Sequence, residues 1–194
     1  MANPDRPNGF TPVKKLDGSP WNGVLRQIGV TDGADLFVGD VLSVTSGLAA
    51  RGAVADTTFL GIAMGFGKVL NNGSVENNTN MFNPQDLEQR FYDDSESTHT
   101  DWVVFYCPLN DMIFEAQTAL DASGIDDIGA ALDFTTTAGS QTTGRSGMEL
   151  TTKSSDNVIV VEHPNYVDND VSLTNARLWV TFDVGAYIAD KPPT

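Results

Sequence analysis

The sequence is poor in the residues that most often carry chemistry. Its 194 residues include one cysteine, Cys107, and two histidines, His99 and His163. A single cysteine excludes an internal disulfide framework and any cysteine-based zinc cluster. Two histidines leave little material for imidazole acid–base or metal chemistry. Positive charge is scarce as well: 11 Lys and Arg stand against 26 Asp and Glu, a net charge of −15. Nucleic-acid binders cluster Lys and Arg to displace counterions, so this balance argues against nucleic acid and against anionic membrane surfaces as partners. No run approaches the roughly 20 apolar residues that span a bilayer as a helix. The opening MANPDRPNGF has no basic segment followed by an apolar run, so no secretory signal is expected. These absences lead to the expectation of a protein made in the cytosol.

What the sequence does have is a β pattern. Hydrophobic residues make up 40%, enough for a sizeable core. Period-two alternation is the main signal. Leu60, Ile62, Met64 and Phe66 are expected on one strand face, with Phe59, Gly61, Ala63 and Gly65 on the other. Leu178, Val180 and Phe182 alternate with Arg177, Trp179 and Thr181, and Met148 and Leu150 with Glu149 and Thr151. Trp102–Cys107 and Val158–Val161 are continuous apolar runs, which suit strands covered on both faces. Further strands are expected at Leu25–Val30, Asp40–Val44, Met112–Gln117 and Ala131–Thr136. Turn clusters at Asp32-Gly33, Asn71-Asn72-Gly73, Ser123-Gly124 and Thr143-Gly144 separate them. Short helices are expected at Asn83–Glu88 and Ile125–Ala131. The fold class is all-β: a barrel or sandwich of roughly eight short antiparallel strands.

Two segments break this pattern. Residues 1–24 carry Pro4, Pro7, Pro12 and Pro20, a spacing that forbids a helix and discourages a central strand. Phe10, Val13, Leu16 and Trp21 recur through it, as a flexible linker would not require. The expectation is an extended arm, with Phe10, Val13, Leu16, Pro20 and Trp21 as anchors that lay apolar side chains on another surface. The alternative is an arm that wraps its own domain. Residues 25–194 then form the β domain, and 71–100 an irregular insertion loop. Charge is uneven too. Residues 1–30 hold Arg6, Lys14, Lys15 and Arg26 against Asp5 and Asp17, while the remainder holds 7 basic and 24 acidic residues. The reading is a gripping arm on a solvated acidic domain whose repulsion keeps crowded copies apart.

Tests for catalytic motifs come out negative. Gly144-Arg145-Ser146-Gly147 has Met148 where a nucleophile elbow needs glycine. Gly65-Phe66-Gly67-Lys68 lacks P-loop spacing. The acidic groups Asp93, Asp94, Glu96, His99, Asp101 and Asp121, Asp126, Asp127 lack EF-hand spacing and read as solvated loops, with a structural cation as the lesser alternative. Cys107 reads as a small buried hydrophobe and His163 as a turn residue. No catalytic, cofactor-binding or metal residues are assigned. The aromatics Trp21, Trp102, Trp179, Tyr92 and Tyr166 hold open a glycan platform, although Trp102 and Trp179 sit in strand patterns.

One resemblance runs through the chain. Gly9-Phe10-x-Pro12-Val13-x-x-Leu16-x-Gly18-x-Pro20-Trp21-Asn22-Gly23 is followed by Leu36-Phe37-Val38-Gly39-Asp40-Val41, Phe59-Leu60-Gly61-Ile62-Ala63 and Thr143-Gly144-Arg145-Ser146. Together these resemble the head decoration, or cement, proteins of tailed bacteriophages, most densely over residues 9–63. The resemblance implies a non-enzymatic, β-rich virion protein on the head exterior. It would bridge neighbouring major capsid subunits through its arm, commonly as a trimer at local three-fold axes. No cofactor, nucleic acid or membrane is implied. The alternative is a tail, fibre or other virion surface module that recognises a glycan.

Overall fold

The computed structural model describes residues 3–31, 33–56, 58–69, 75–76, 91–95, 102–119, 127–152 and 157–183. Among these residues there is no helix, and the strands form three antiparallel sheets without a closed barrel, a sandwich-like all-β fold. The strands are β1 (Thr11–Lys15), β2 (Arg26–Gly29), β3 (Leu36–Phe37), β4 (Val41–Thr45), β5 (Leu48–Arg51), β6 (Phe59–Val69) and β7 (Val75–Glu76). They continue with β8 (Phe91–Tyr92), β9 (Trp102–Pro108), β10 (Met112–Gln117), β11 (Ala131–Phe134), β12 (Leu150–Thr151), β13 (Val158–Glu162) and β14 (Arg177–Phe182). That is more than the roughly eight expected, because pairs as short as Leu36–Phe37 have too few residues to show an alternation.

The first large sheet runs β1-β10-β14-β13-β11-β12, the second β2-β9-β6-β4-β5 with β7 on β6, and β3 pairs with β8. The first core gathers Phe114, Leu132, Phe134, Val158, Val160, Leu178, Val180 and Phe182 from the first sheet with Val41, Phe59, Ile62 and Cys107 from the second. The second core lies on the opposite side of the second sheet, among Leu36, Leu42, Ala63, Phe66, Tyr92, Trp102, Val104 and Tyr106. The second sheet curls: Val30 of one edge bridges Ala49 of the other, and the Thr31 amide donates to the Ala49 carbonyl at 2.8 Å. β9 therefore has both faces covered, as its continuous apolar run anticipates.

β6 departs from strict alternation. Its register slips at Leu60 against β4 and at Met64 against β9. Each β-bulge rotates the residues beyond it to the other face. Phe59 and Ile62 thus enter the first core, and Ala63 and Phe66 the second, with Leu60 packed against the second and Met64 against the first. The expected single face of Leu60, Ile62, Met64 and Phe66 is accordingly split. On β14 the expected alternation holds, with Leu178, Val180 and Phe182 buried and the residues between them half-buried.

The expected helix at Ile125–Ala131 is not formed over its described part: residues 127–129 are bend and turn, and Ala131 opens β11. The Asp127 carbonyl accepts from the Ala130 amide, and the Gly129 amide donates to Val160, so β13 captures this backbone. Asn83–Glu88 lies outside the described residues. Within 71–100, β7 pairs with β6, and β8 pairs with β3 and buries Tyr92 completely, so the insertion contributes strands as well as loop.

The N-terminal segment is woven into the domain. β1 is an edge strand paired antiparallel to β10, with Thr11 opposite Glu115 and Lys15 opposite Met112. Pro12 is tolerated because an edge strand has ladder bonds on one side alone. The register slips between Pro12 and Lys14, which turns Val13 out of regular pairing. Phe10 is 1% exposed and meets Phe182 at 5.3 Å and Phe134 at 6.0 Å between ring centres. Replacing Phe10 with alanine is expected to cost about 3–5 kcal/mol of unfolding free energy. Leu16→Ala, at a half-exposed site, is expected to cost less than about 1 kcal/mol. Urea denaturation of the two variants checks this contrast.

Candidate functional site

Four segments distant in sequence, Gly9-Phe10, Val38–Asp40, Ala63 and Gly144–Ser146, meet at one buried junction. Gly9 sits at φ +65° and Gly39 at φ +98°, both in the left-handed region that glycine adopts at little cost. A Cβ on Gly9 would stand 2.3 Å from the Gly39 carbonyl oxygen, and one on Gly39 would stand 2.2 Å from the Asn8 oxygen. The two stretches of main chain therefore touch directly, and the Phe10 amide donates to the Gly39 carbonyl at 2.9 Å. The Gly39 amide in turn reaches the Ala63 carbonyl at 2.8 Å, and the Ala63 amide reaches that of Asp40 at 2.9 Å. On the other side Val38 donates to Gly144 at 3.1 Å and accepts from Ser146 at 2.9 Å. Residues far apart in sequence are thus joined through the backbone of Val38, Gly39 and Asp40.

Asp40 lies at the centre and is fully buried. Its Oδ2 accepts from the Phe37 amide at 2.9 Å, while its Oδ1 has no hydrogen-bond partner among the described residues. Burial pushes its carboxyl up to about 6; the nearby Ser146 hydroxyl, the Phe37 amide and the more distant Arg51 oppose the rise. A serine beside a buried acid invites comparison with a hydrolase. Here Ser146 is 1% exposed, and its hydroxyl accepts from the Met148 amide at 3.0 Å. The arrangement secures a turn and presents no nucleophile to solvent.

The remaining sequence candidates find simple places. Gly65–Lys68 lies within β6 and forms no phosphate loop. Cys107 is buried in β9, and burial raises its thiol to about 12. Asp93 caps Ser95, accepting from its amide at 2.9 Å, and Asp94 accepts from the Gly33 amide at 2.7 Å. No group of three or more His, Cys, Asp or Glu side chains suited to a metal ion occurs among the described residues.

The expected anchors divide. Phe10 fills the chain's own core, which removes it as an outward anchor, and Trp21 packs against that core while staying partly exposed. Val13 is half-buried in β1. Leu16 and Pro20 face outward from the turn after β1, with Leu16 49% exposed. Of the basic groups, Lys14 is tied to the domain, pairing with Glu162 at 2.6 Å and lying over the Trp179 ring at 4.5 Å, while Arg6 and Arg26 are exposed. The picture of a separate basic arm on an acidic domain is replaced by one in which that segment offsets part of the domain's own charge.

One cluster escaped sequence reasoning. On the outer face of the first sheet, Glu115 Oε2 accepts from both the Trp179 indole at 3.0 Å and the Tyr166 hydroxyl at 2.9 Å. Arg177 lies over the Tyr166 ring at 4.4 Å and pairs with Asp168. Alternation on β14 sets Arg177 and Trp179 on the face opposite Leu178, Val180 and Phe182, but no local signal brings in Tyr166, which arrives from a loop. Lys14 lies over the Trp179 ring and Arg177 over that of Tyr166, which is 39% exposed, while Tyr92 and Trp102 are buried against each other.

Asp40 has a pH signature. Between its unfolded value near 3.8 and its folded value near 6, the native state holds a proton that the unfolded chain has released. Stability from this group is therefore present at low pH and is lost as pH rises through that window. Asp40→Asn keeps an oxygen for the Phe37 amide and removes the titration. The stability difference between variant and wild type is expected to move toward the variant by on the order of 2–3 kcal/mol from about pH 4 to about pH 7. Denaturation at each pH reads this directly. No protein-family model, curated protein or solved structure matches the chain.

Proposed function

We propose that the protein is a non-enzymatic structural component of a bacteriophage head, a decoration protein that binds the outer capsid surface and stabilises it by linking major capsid subunits. The observation that carries this reading is the convergence of the resembling segments. Gly9-Phe10, Val38-Gly39-Asp40, Ala63 and Gly144–Ser146 bond to one another as a single three-dimensional unit. Short motifs spread along the sequence thereby form one structural device in this chain. The burial of Ser146 and the high thiol value of Cys107 agree with a role without catalysis. Strong acidity suits an outer surface away from packaged genome.

Within this proposal, the bridging contact shifts from the whole arm to its outward turn, Leu16–Pro20, with the partly exposed Trp21 beside it, since Phe10 is buried inside the fold. The proposal includes self-association into a closed ring, a trimer, in which repetition multiplies weak contacts. For the glycan alternative, Tyr166 is exposed, but its ring and that of Trp179 are each paired with a cation of the chain itself.

The test uses heads of the phage that encodes the chain, stripped of surface proteins. Saturable co-sedimentation of purified protein with the heads is expected, together with a higher temperature of head disruption. Absence of co-sedimentation at micromolar protein would sink the proposal, and light scattering reads the oligomeric state independently.

A further inference from the structure

At one end of the first sheet β1 and β14 stop while β10 and β13 begin. The chain leaving β1 folds back over this end: the Leu16 amide donates to the Asp111 carbonyl at 2.8 Å, and the Lys15 amide to that of Ser19 at 2.9 Å. Asp17 accepts from the Ser19 amide and hydroxyl at 2.8 and 2.6 Å, which closes the turn. Asp111 takes a left-handed φ of 57° to hold its side of the contact. Between these turns lies a groove of about 130 Å3. Its apolar walls are Leu16, Leu109, Ile159 and Phe182, and the ionisable residues on its lining are Asp111 and Asp183.

We propose that this groove receives a lysine or arginine side chain presented by a partner protein. The size selects the ligand class, because cofactor and drug-sized sites run from about 300 to 1,000 Å3 and this one suits a single side chain. The walls fit the aliphatic stem of a basic residue, which packs on apolar surface while its charged head stays near water. The charge selects the sign: both lining ionisable residues are acidic, on a chain of net charge −15. Leu16, 49% exposed and fixed by its own backbone bond, is the lip that the stem would cover. The turn chemistry makes the site preformed, which lowers the ordering cost of binding. This inference stands apart from the phage reading, since it concerns the chemistry of the groove and not the identity of the partner.

Backbone NMR of the full chain tests it, with n-butylammonium and n-butylguanidinium as probes and n-pentanol as the uncharged control. Saturable shifts are expected at the Leu16, Asp111 and Thr181 amides with millimolar midpoints, and binding of the alcohol about fivefold weaker or more. Asp111→Asn is expected to weaken the cations about fivefold while leaving the alcohol unchanged. Equal response to cation and alcohol, no saturation at these amides, or full cation affinity in the Asp111→Asn variant would each overturn the proposal. Because the probes bind without any head particle, failure here is distinct from failure of head binding.

Discussion

The structure depends on a direct contact between two stretches of main chain, Asn8–Phe10 and Val38–Asp40. Neither stretch can come so close with a side chain at position 9 or 39, where a Cβ would overlap a carbonyl oxygen. The contact delivers Phe10 to the middle of the first core and starts β1 in register with β10. It also fixes Asp40 where its carbonyl and carboxylate serve backbone amides of Ala63 and Phe37. Hydrogen bonds to otherwise buried backbone groups are worth more as avoided penalties than as gains. Leaving Asp40 Oδ1 unpaired is the cost of this arrangement, and the raised carboxyl value is its chemical trace.

The two cores grow from that junction. β4 and β6 pass through it and continue as the wall between cores, which requires apolar side chains on both faces. The slips at Leu60 and Met64 let one strand of eleven residues serve both sides. The curl of the second sheet, tied by Val30 and Ala49, then encloses Tyr92 and Trp102. Protection of the edges comes from the same economy of short segments, with β1 covering β10 and the turn after β1 covering the end of the sheet.

Much of this was legible in the residues, for identifiable reasons. Long one-sided strands such as β14 show their alternation plainly, and β9 shows the continuous run of a doubly covered strand. β6 misleads because a bulge reverses parity without any local mark. β1 was hidden by Pro12, whose missing amide matters little at an edge. Phe10 and Trp21 stand out by their apolar spacing, but spacing cannot say whose core receives them. The sequence drew attention to Gly9, Gly39 and Ser146 through resemblance, while their mutual contact is a product of long-range topology. The groove beside Leu16 was out of reach for the same reason, as Asp111, Ile159 and Phe182 come from separate strands and turns.

Among the described residues the N-terminal segment is built into the domain and is not a loose arm. The central claim is that the N-terminal segment is part of the cooperative fold. Native-state hydrogen exchange at the Phe10 and Leu16 amides, which bond to the Gly39 and Asp111 carbonyls, tests it most directly. The account expects both amides to exchange through the same global opening as the amides of β10 and β14. Exchange at the rate of an unstructured peptide, with β10 and β14 still protected, would contradict it.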